Sequence, residues 1–258
     1  MIVALIDSGL GLVPTASRLR QMRPELDLVL MMDPDNAPWG PKPDRWVIDR
    51  VVGTAQHAVE LGAEAVVLPC NTASVTALSH VRAALGESVP VVGTVPAIKP
   101  AAAVSDRIAI WATAATTASA YQARLIEQFA SHRTVTSVAC HGLADSIDRG
   151  DADGIRTAIA AAVAATPDDV ESIVLGCTHY PLVLDEIVAQ LPVGVTMFDS
   201  AEAVAHQTVR RVDEIASGRS GTGRVSVWLS GTEGGMPASA QRYRQGQVLL
   251  GGVSAEHH

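Results

Sequence analysis

The chain has 258 residues, 48% of them hydrophobic, which suffices for one large domain or for two ordinary ones that each bury a core; two are expected. Its formal charge is −8 and its 19 Lys and Arg are scattered, so the basic stripe that attracts nucleic acid is missing and a small-molecule partner is expected. No run approaches the about 20 apolar residues that span a bilayer, residues 1–6 meet Asp7 too early to act as a signal peptide, and three cysteines do not form a disulfide framework. A soluble, cytoplasmic protein with free thiols and no membrane partner is expected.

Short apolar strands alternate along the chain with helical stretches. Strands are predicted at 2–6, 26–32, 65–68, 90–93, 107–111, 134–138, 173–175, 195–198 and 225–229. Their unbroken apolar runs suit parallel strands covered on both faces. Helical spacing or high alanine content marks 44–61, 118–130, 152–165, 182–190 and 201–215, with Asp44 and Ser200 as N-caps. The alternation predicts an α/β fold of two pseudo-symmetric domains, each a mostly parallel sheet flanked by helices, with the active site in the cleft between them. Pro96 and Pro100 bracket the expected crossing between halves. Residues 1–97 with 207–258 form the expected first domain, and residues 98–206 the second. Glu256-His257-His258 reads as the remnant of a purification tag.

Two segments repeat one design. Glu64-Ala-Val-Val-Leu-Pro-Cys70-Asn71-Thr72 and Glu171-Ser-Ile-Val-Leu-Gly-Cys177-Thr178-His179 each run an apolar strand into a cysteine followed by small polar residues. Upstream, the first strand ends in Asp7-Ser8, 63 residues before Cys70, and its counterpart ends in Ala112-Thr113, Thr113 lying 64 residues before Cys177. Matched spacing suggests two half-molecules that each deliver one thiol to a shared site.

A thiolate is a workable base near neutral pH and the thiol an acid, so one on each side of a stereocentre can invert it by removing a proton from one face and delivering one to the other. No cofactor and no metal is needed for that. The competing readings are packing cysteines and zinc ligands. Both thiols sit at strand-to-loop junctions beside polar groups, and no Cys-x-x-Cys pair exists. Cys140 lacks the repeated context and reads as structural. Asp7 could instead cap the following helix, His179 could be a structural histidine, Thr113 and Thr116 could be caps, and Trp39 a loop anchor. A nucleotide site is disfavoured, because Gly9-Leu10-Gly11 lacks the third glycine.

Taken together, Asp7-Ser8-Gly9, Asp33-x-x-Asn36-x-Pro38-Trp39-Gly40, Cys70-Asn71-Thr72-Ala73-Ser74 and Gly176-Cys177-Thr178-His179-Tyr180-Pro181 occur in the order seen in cofactor-independent glutamate racemases. Over nearly its whole length the chain resembles the aspartate/glutamate racemase superfamily, and within it the glutamate branch. The resemblance implies that Cys70 takes the α-proton of D-glutamate and Cys177 acts on the L enantiomer, with Asp7 assisting Cys70 and His179 assisting Cys177. It implies that Ser8, Trp39, Gly40, Asn71, Thr72, Thr113, Thr116 and Thr178 hold the ammonium and carboxylates of the amino acid. It also implies a supply of D-glutamate for peptidoglycan and the cell wall. Assembly as a homodimer is left open. Two departures stand out: Leu12 where a second glycine is usual, and Asp148 where the family commonly has glutamate. Racemisation of aspartate or of another amino acid is the main alternative, and a small-molecule binder that inherited the scaffold is the second.

Overall fold

The computed structural model describes residues 1–215 and 220–251, so Glu256-His257-His258 lies outside the described residues. Packing divides the chain into two compact units, one built from Met1–Thr94 and the chain from Ala201 onward, the other from Val95–Ser200.

The first unit opens with β1 (Ile2–Ile6), α1 (Val13–Met22), β2 (Asp27–Met32), α2 (Asp44–Glu60), β3 (Ala65–Leu68), α3 (Asn71–Leu85) and β4 (Val91–Gly93). The second unit follows with α4 (Ile98–Val104), β5 (Arg107–Ala112), α5 (Ala114–Thr117), α6 (Ala120–Ala130), β6 (Thr134–Ala139), α7 (Leu143–Arg149), α8 (Ala152–Ala164), β7 (Ser172–Leu175), α9 (Leu184–Val188) and β8 (Thr196–Phe198). The chain then returns to the first unit through α10 (Ala201–Ile215), β9 (Val225–Leu229), β10 (Thr232–Gly234) and α11 (Arg244–Leu249).

The first sheet has the order β10-β9-β2-β1-β3-β4 and the second β6-β5-β7-β8. Every pair is parallel except β9 with β10. The blocks β2-β1-β3-β4 and β6-β5-β7-β8 share one strand order, so the repeat read in the sequence is a repeat of topology. In each, the strand that opens the unit pairs with the strand that carries the cysteine.

Burial on both faces explains the apolar runs. Ala4, Ile6, Val29, Met31, Val66 and Leu68 join residues of α2 and α3 in one core cluster. Val3, Leu5, Leu28, Leu30 and Val67, of opposite parity along the strands, are buried as well. Helices α10 and α11 each pack on α1, and α10 reaches β3 and β4. In the second unit, Ile108, Ile110 and Val174 meet Ile98, Ala101, Leu125 and Ala130. No helix among the described residues is long and apolar enough to cross a membrane.

Several expectations require correction. Asp44 is not an N-cap: Pro43 holds that position, without a side-chain cap, and Asp44 is the first helical residue, where its charge still suits the positive end of the helix. The helix expected at 118–130 is present as α6, beginning at Ala120 because Ser119 caps it by accepting from the Gln122 N–H; the short α5 before it is a further helix that the pattern does not mark. The stretch 182–190 is a short α9 after a 3-10 turn at Tyr180–Val183, whose Pro181 cannot donate to a helical ladder. Helices α1, α3, α4, α7 and α11 are additional to those the pattern marks.

Leu5 is fully buried in β1 between β2 and β3. Leu5→Ala should lower the unfolding free energy by about 2–5 kcal/mol, read from urea denaturation followed by circular dichroism.

Candidate active site

Parallel strands end together, and the loops beyond their carboxyl ends collect polar residues. In the first unit the register Leu5↔Val67, carried two residues further, sets Asp7 level with Pro69 and one residue from Cys70. In the second, Trp111↔Leu175 sets Thr113 level with Cys177. The one-residue difference between the two upstream spacings is therefore absorbed at the strand ends.

Asp7 is fully buried. Its Oδ1 accepts from the Ser8 hydroxyl and from the Gly9 N–H, both at 3.2 Å. The next two helical turns begin at Gly9 and Leu12, neither with a side-chain cap, so Asp7 braces its own loop rather than capping a helix. Cys70 is buried at the N-cap position of α3, in extended backbone. Ser74, one turn into α3, fixes that corner: its N–H donates to the Cys70 carbonyl, its hydroxyl donates to the Leu68 carbonyl at 2.9 Å, and the same oxygen accepts from the Thr94 N–H at 2.9 Å. Asn71 and Thr72 occupy the first turn, where backbone N–H groups lack intrahelical acceptors.

Trp39 is buried, and its indole N–H donates to Asp33 Oδ2 at 3.0 Å. Gly40 is half-buried beside it. Asp33 also accepts from Asn36 at 2.9 Å and, bidentately, from Arg50 at 2.8 and 2.6 Å. Burial alone would raise the Asp33 pKa, but these donors hold the carboxyl below its ordinary value.

In the second unit a three-member chain stands at the end of β7. Cys177 Sγ lies 3.6 Å from His179 Nδ1, and His179 Nε2 lies 3.1 Å from Asp148 Oδ1. His179 is buried; burial would push its pKa down, yet the charge and hydrogen bond of Asp148, with the Cys177 thiol, hold it well above its ordinary value. Asp148 thus reaches His179 despite being one methylene shorter than glutamate. Gly176 precedes the thiol because a Cβ there would lie 3.0 Å from the Trp111 carbonyl oxygen and 3.1 Å from the Ala112 Cβ.

Thr113 is the N-cap of α5: its hydroxyl accepts from the Thr116 N–H and donates to the Thr116 hydroxyl at 3.0 Å. Thr113, Thr116 and Thr178 are half-buried. Cys140 is buried, and burial pushes its thiol up to about 12, so it stays protonated at neutral pH. Among the described residues, no three His, Cys, Asp or Glu side chains group as a metal site.

The motifs therefore fall where the strand ends bring them. Within the first unit, Asp7, Ser8, Cys70, Asn71 and Thr72 share the ends of β1 and β3. Within the second, Thr113, Cys177, Thr178 and His179 share the ends of β5 and β7. Reasoning from sequence missed Ser74 and Arg50 as supports; Asp33 and Asn36 flank the Pro-Trp-Gly turn, but nothing local pointed to an arginine 17 residues away.

Residues 15–208, well over half of the chain, match the family model described as Asp/Glu/Hydantoin racemase. The chain belongs to that family. It is 33% identical over 236 residues to the glutamate racemase of Pseudomonas syringae pv. tomato, covering 88% of this chain and 84% of the relative. Among solved structures it resembles Escherichia coli glutamate racemase in complex with L-glutamate and the activator UDP-MurNAc-Ala: TM-score 0.82, 26% identity, 97% of this chain and 94% of that one. Glutamate racemase from Thermus thermophilus, in complex with beta-chloro-D-alanine, aligns at TM-score 0.72 and 28% identity over 98% and 94% of the two chains. The chain is therefore a racemase, an isomerase.

Because the folded pKa of His179 is raised above the unfolded value of about 6.5, its stabilising contribution is complete below about pH 6.5 and is lost as pH rises through the folded value. Asp148→Asn removes the leading cause of that rise. Urea midpoints measured across the alkaline side of that window should fall in the parent protein and stay flatter in the variant; identical profiles would refute the coupling. Gly176→Ala makes the neighbouring β5 backbone and the Ala112 side chain give by a few tenths of an ångström beside Cys177, and racemase kcat/KM should drop about 10-fold in the initial-rate assay.

Proposed function

We propose that this racemase interconverts L- and D-glutamate without a cofactor, by two-base proton transfer between Cys70 and Cys177. Cys70, as thiolate, takes the α-proton of D-glutamate; the bonding pair stays on Cα and spreads into the α-carboxylate. Cys177, as thiol, delivers its proton to the opposite face. The products are L-glutamate, a Cys70 thiol and a Cys177 thiolate, which is the starting state for the reverse reaction.

The observation that carries this reading is the Asp148–His179–Cys177 chain at the end of β7, with Asp7 beside Cys70 at the topologically matching strand ends. His179, held cationic by Asp148, can give a proton to the Cys177 thiolate, and the neutral imidazole left behind can take one back from the thiol. Asp7, braced by Ser8 and Gly9, serves Cys70 in the same way. The hydroxyls of Ser8, Thr72, Thr113, Thr116 and Thr178, the Asn71 amide and the backbone at Gly40 are suited to the ammonium and carboxylates, and Trp39 supplies an apolar wall. Keeping the ammonium protonated further acidifies the α C–H bond.

Glutamate rather than aspartate is supported by relatives named glutamate racemase that cover most of the chain, and by a solved neighbour in complex with L-glutamate. Cytoplasmic supply of D-glutamate for peptidoglycan follows from the same reading, as does the expectation that no metal takes part.

Purified protein treated with a chelator and incubated with D- or L-glutamate in deuterated water should show loss of optical activity together with deuterium at Cα, while aspartate is left unchanged. Cys70→Ser and Cys177→Ser should each abolish net interconversion. Turnover that survives in both single variants would remove the thiols from the chemistry, and aspartate racemised faster than glutamate would overturn the substrate.

A further inference from the structure

We infer that Arg50 is a positioning residue of the racemase, acting through Asp33 to hold the Trp39–Gly40 turn where the substrate meets it. The inference rests on the reading above, in which Trp39 and Gly40 line the amino-acid site.

Arg50 projects from the second turn of α2, and its guanidinium grips both oxygens of a carboxylate that leaves β2. Asp33 is a hub: its backbone N–H donates to the Ser8 carbonyl, its carbonyl accepts from the Asn36 N–H, and its carboxylate receives Asn36, Trp39 and Arg50. The segment from Asp33 to Gly40 is otherwise irregular, with a cis Ala37–Pro38 peptide, and outside regular pairing a carboxylate with several donors is what fixes its path. Trp39 belongs to the same buried cluster as Cys70, Ile6, Met31, Val47 and Val51. A small cavity of about 10 Å³ is lined by Asp7, Asp33, Trp39, Arg50 and Trp228, so the hub adjoins the acid that flanks the first thiol. Asp33 itself is unsuited to proton transfer, since the surrounding donors occupy its oxygens and keep it ionised.

A merely structural ion pair would stabilise the unit and leave catalysis indifferent to how it is replaced. A positioning pair would not. Lysine offers a point charge rather than a planar fork, so Arg50→Lys keeps the charge and loses the bidentate geometry. Arg50→Met strands a buried carboxylate, and adding Asp33→Leu removes that charge and restores an apolar contact.

The test measures KM and kcat for both glutamate enantiomers, with melting temperature alongside, in the full-length protein. Arg50→Met should raise KM about 30-fold, with a smaller change in kcat, and Arg50→Lys should recover part of that loss. The Asp33→Leu/Arg50→Met double variant should regain the parent melting temperature while KM stays raised. Trp39→Phe, which removes the indole N–H and trims the ring while leaving the ion pair in place, should raise KM about fivefold; Arg50→Lys decides the matter if the double variant does not fold. Parent KM in folded Arg50→Met, joint recovery of KM and melting temperature in the double variant, or parent KM in Trp39→Phe would each overturn the inference. A parent protein that does not racemise glutamate would instead sink the underlying functional reading, so the two failures are distinct.

Discussion

Parallel pairing of β1 with β3, and of β5 with β7, is the constraint from which the chemistry of both units follows. Strands that run the same way must end on the same side, so whatever residues follow their last apolar position are gathered without further design. Here those residues are Asp7-Ser8 and Cys70-Asn71-Thr72 in one unit, and Thr113 and Cys177-Thr178-His179 in the other. Backbone hydrogen bonding supplies the register, and a slip of one residue would send every buried side chain of the strand to the wrong face.

The units solve the problem of supporting a thiol differently. In the second, the buried His179 lies between the buried Cys177 and the half-buried Asp148, a polar chain in which each group orients the next. In the first, Asp7 is held by its own loop, and Ser74 ties the Cys70 corner to β3 and to the residue after β4. Gly176 and Pro69 occupy matching positions before the two cysteines. The glycine answers a close approach of the β5 backbone. Duplicated topology has therefore been kept while the local chemistry has diverged.

What could be read in advance depended on how local the physics was. All nine expected strands are present, and the apolar runs are clearest in β1 and β3, where both faces are covered. Among the described residues only the exposed Thr232–Gly234 strand escaped, having no apolar residue to mark it. Helices were less legible. Helix α1 buries Thr15 and Ser17 alongside Val13, Pro14, Ala16 and Leu19, so a third of its buried positions are polar, and α3 begins with Asn-Thr-Ala-Ser, which reads as loop. Where short-range capping decided the outcome, at Pro43 and at Ser119, the sequence carried the signal but periodicity outweighed it.

By itself the amino-acid order determined the fold class, the duplicated strand-to-cysteine design and the family, since these rest on hydrophobic runs and on motifs contained within a few residues. Tertiary structure decided which polar groups meet. Asp148 finds His179 across 31 residues, and Arg50 finds Asp33 across 17, through the packing of whole elements rather than any spacing rule. Hydrogen bonds act over about 3 Å, whereas chain separation says nothing about distance until the sheets and helices have been laid down.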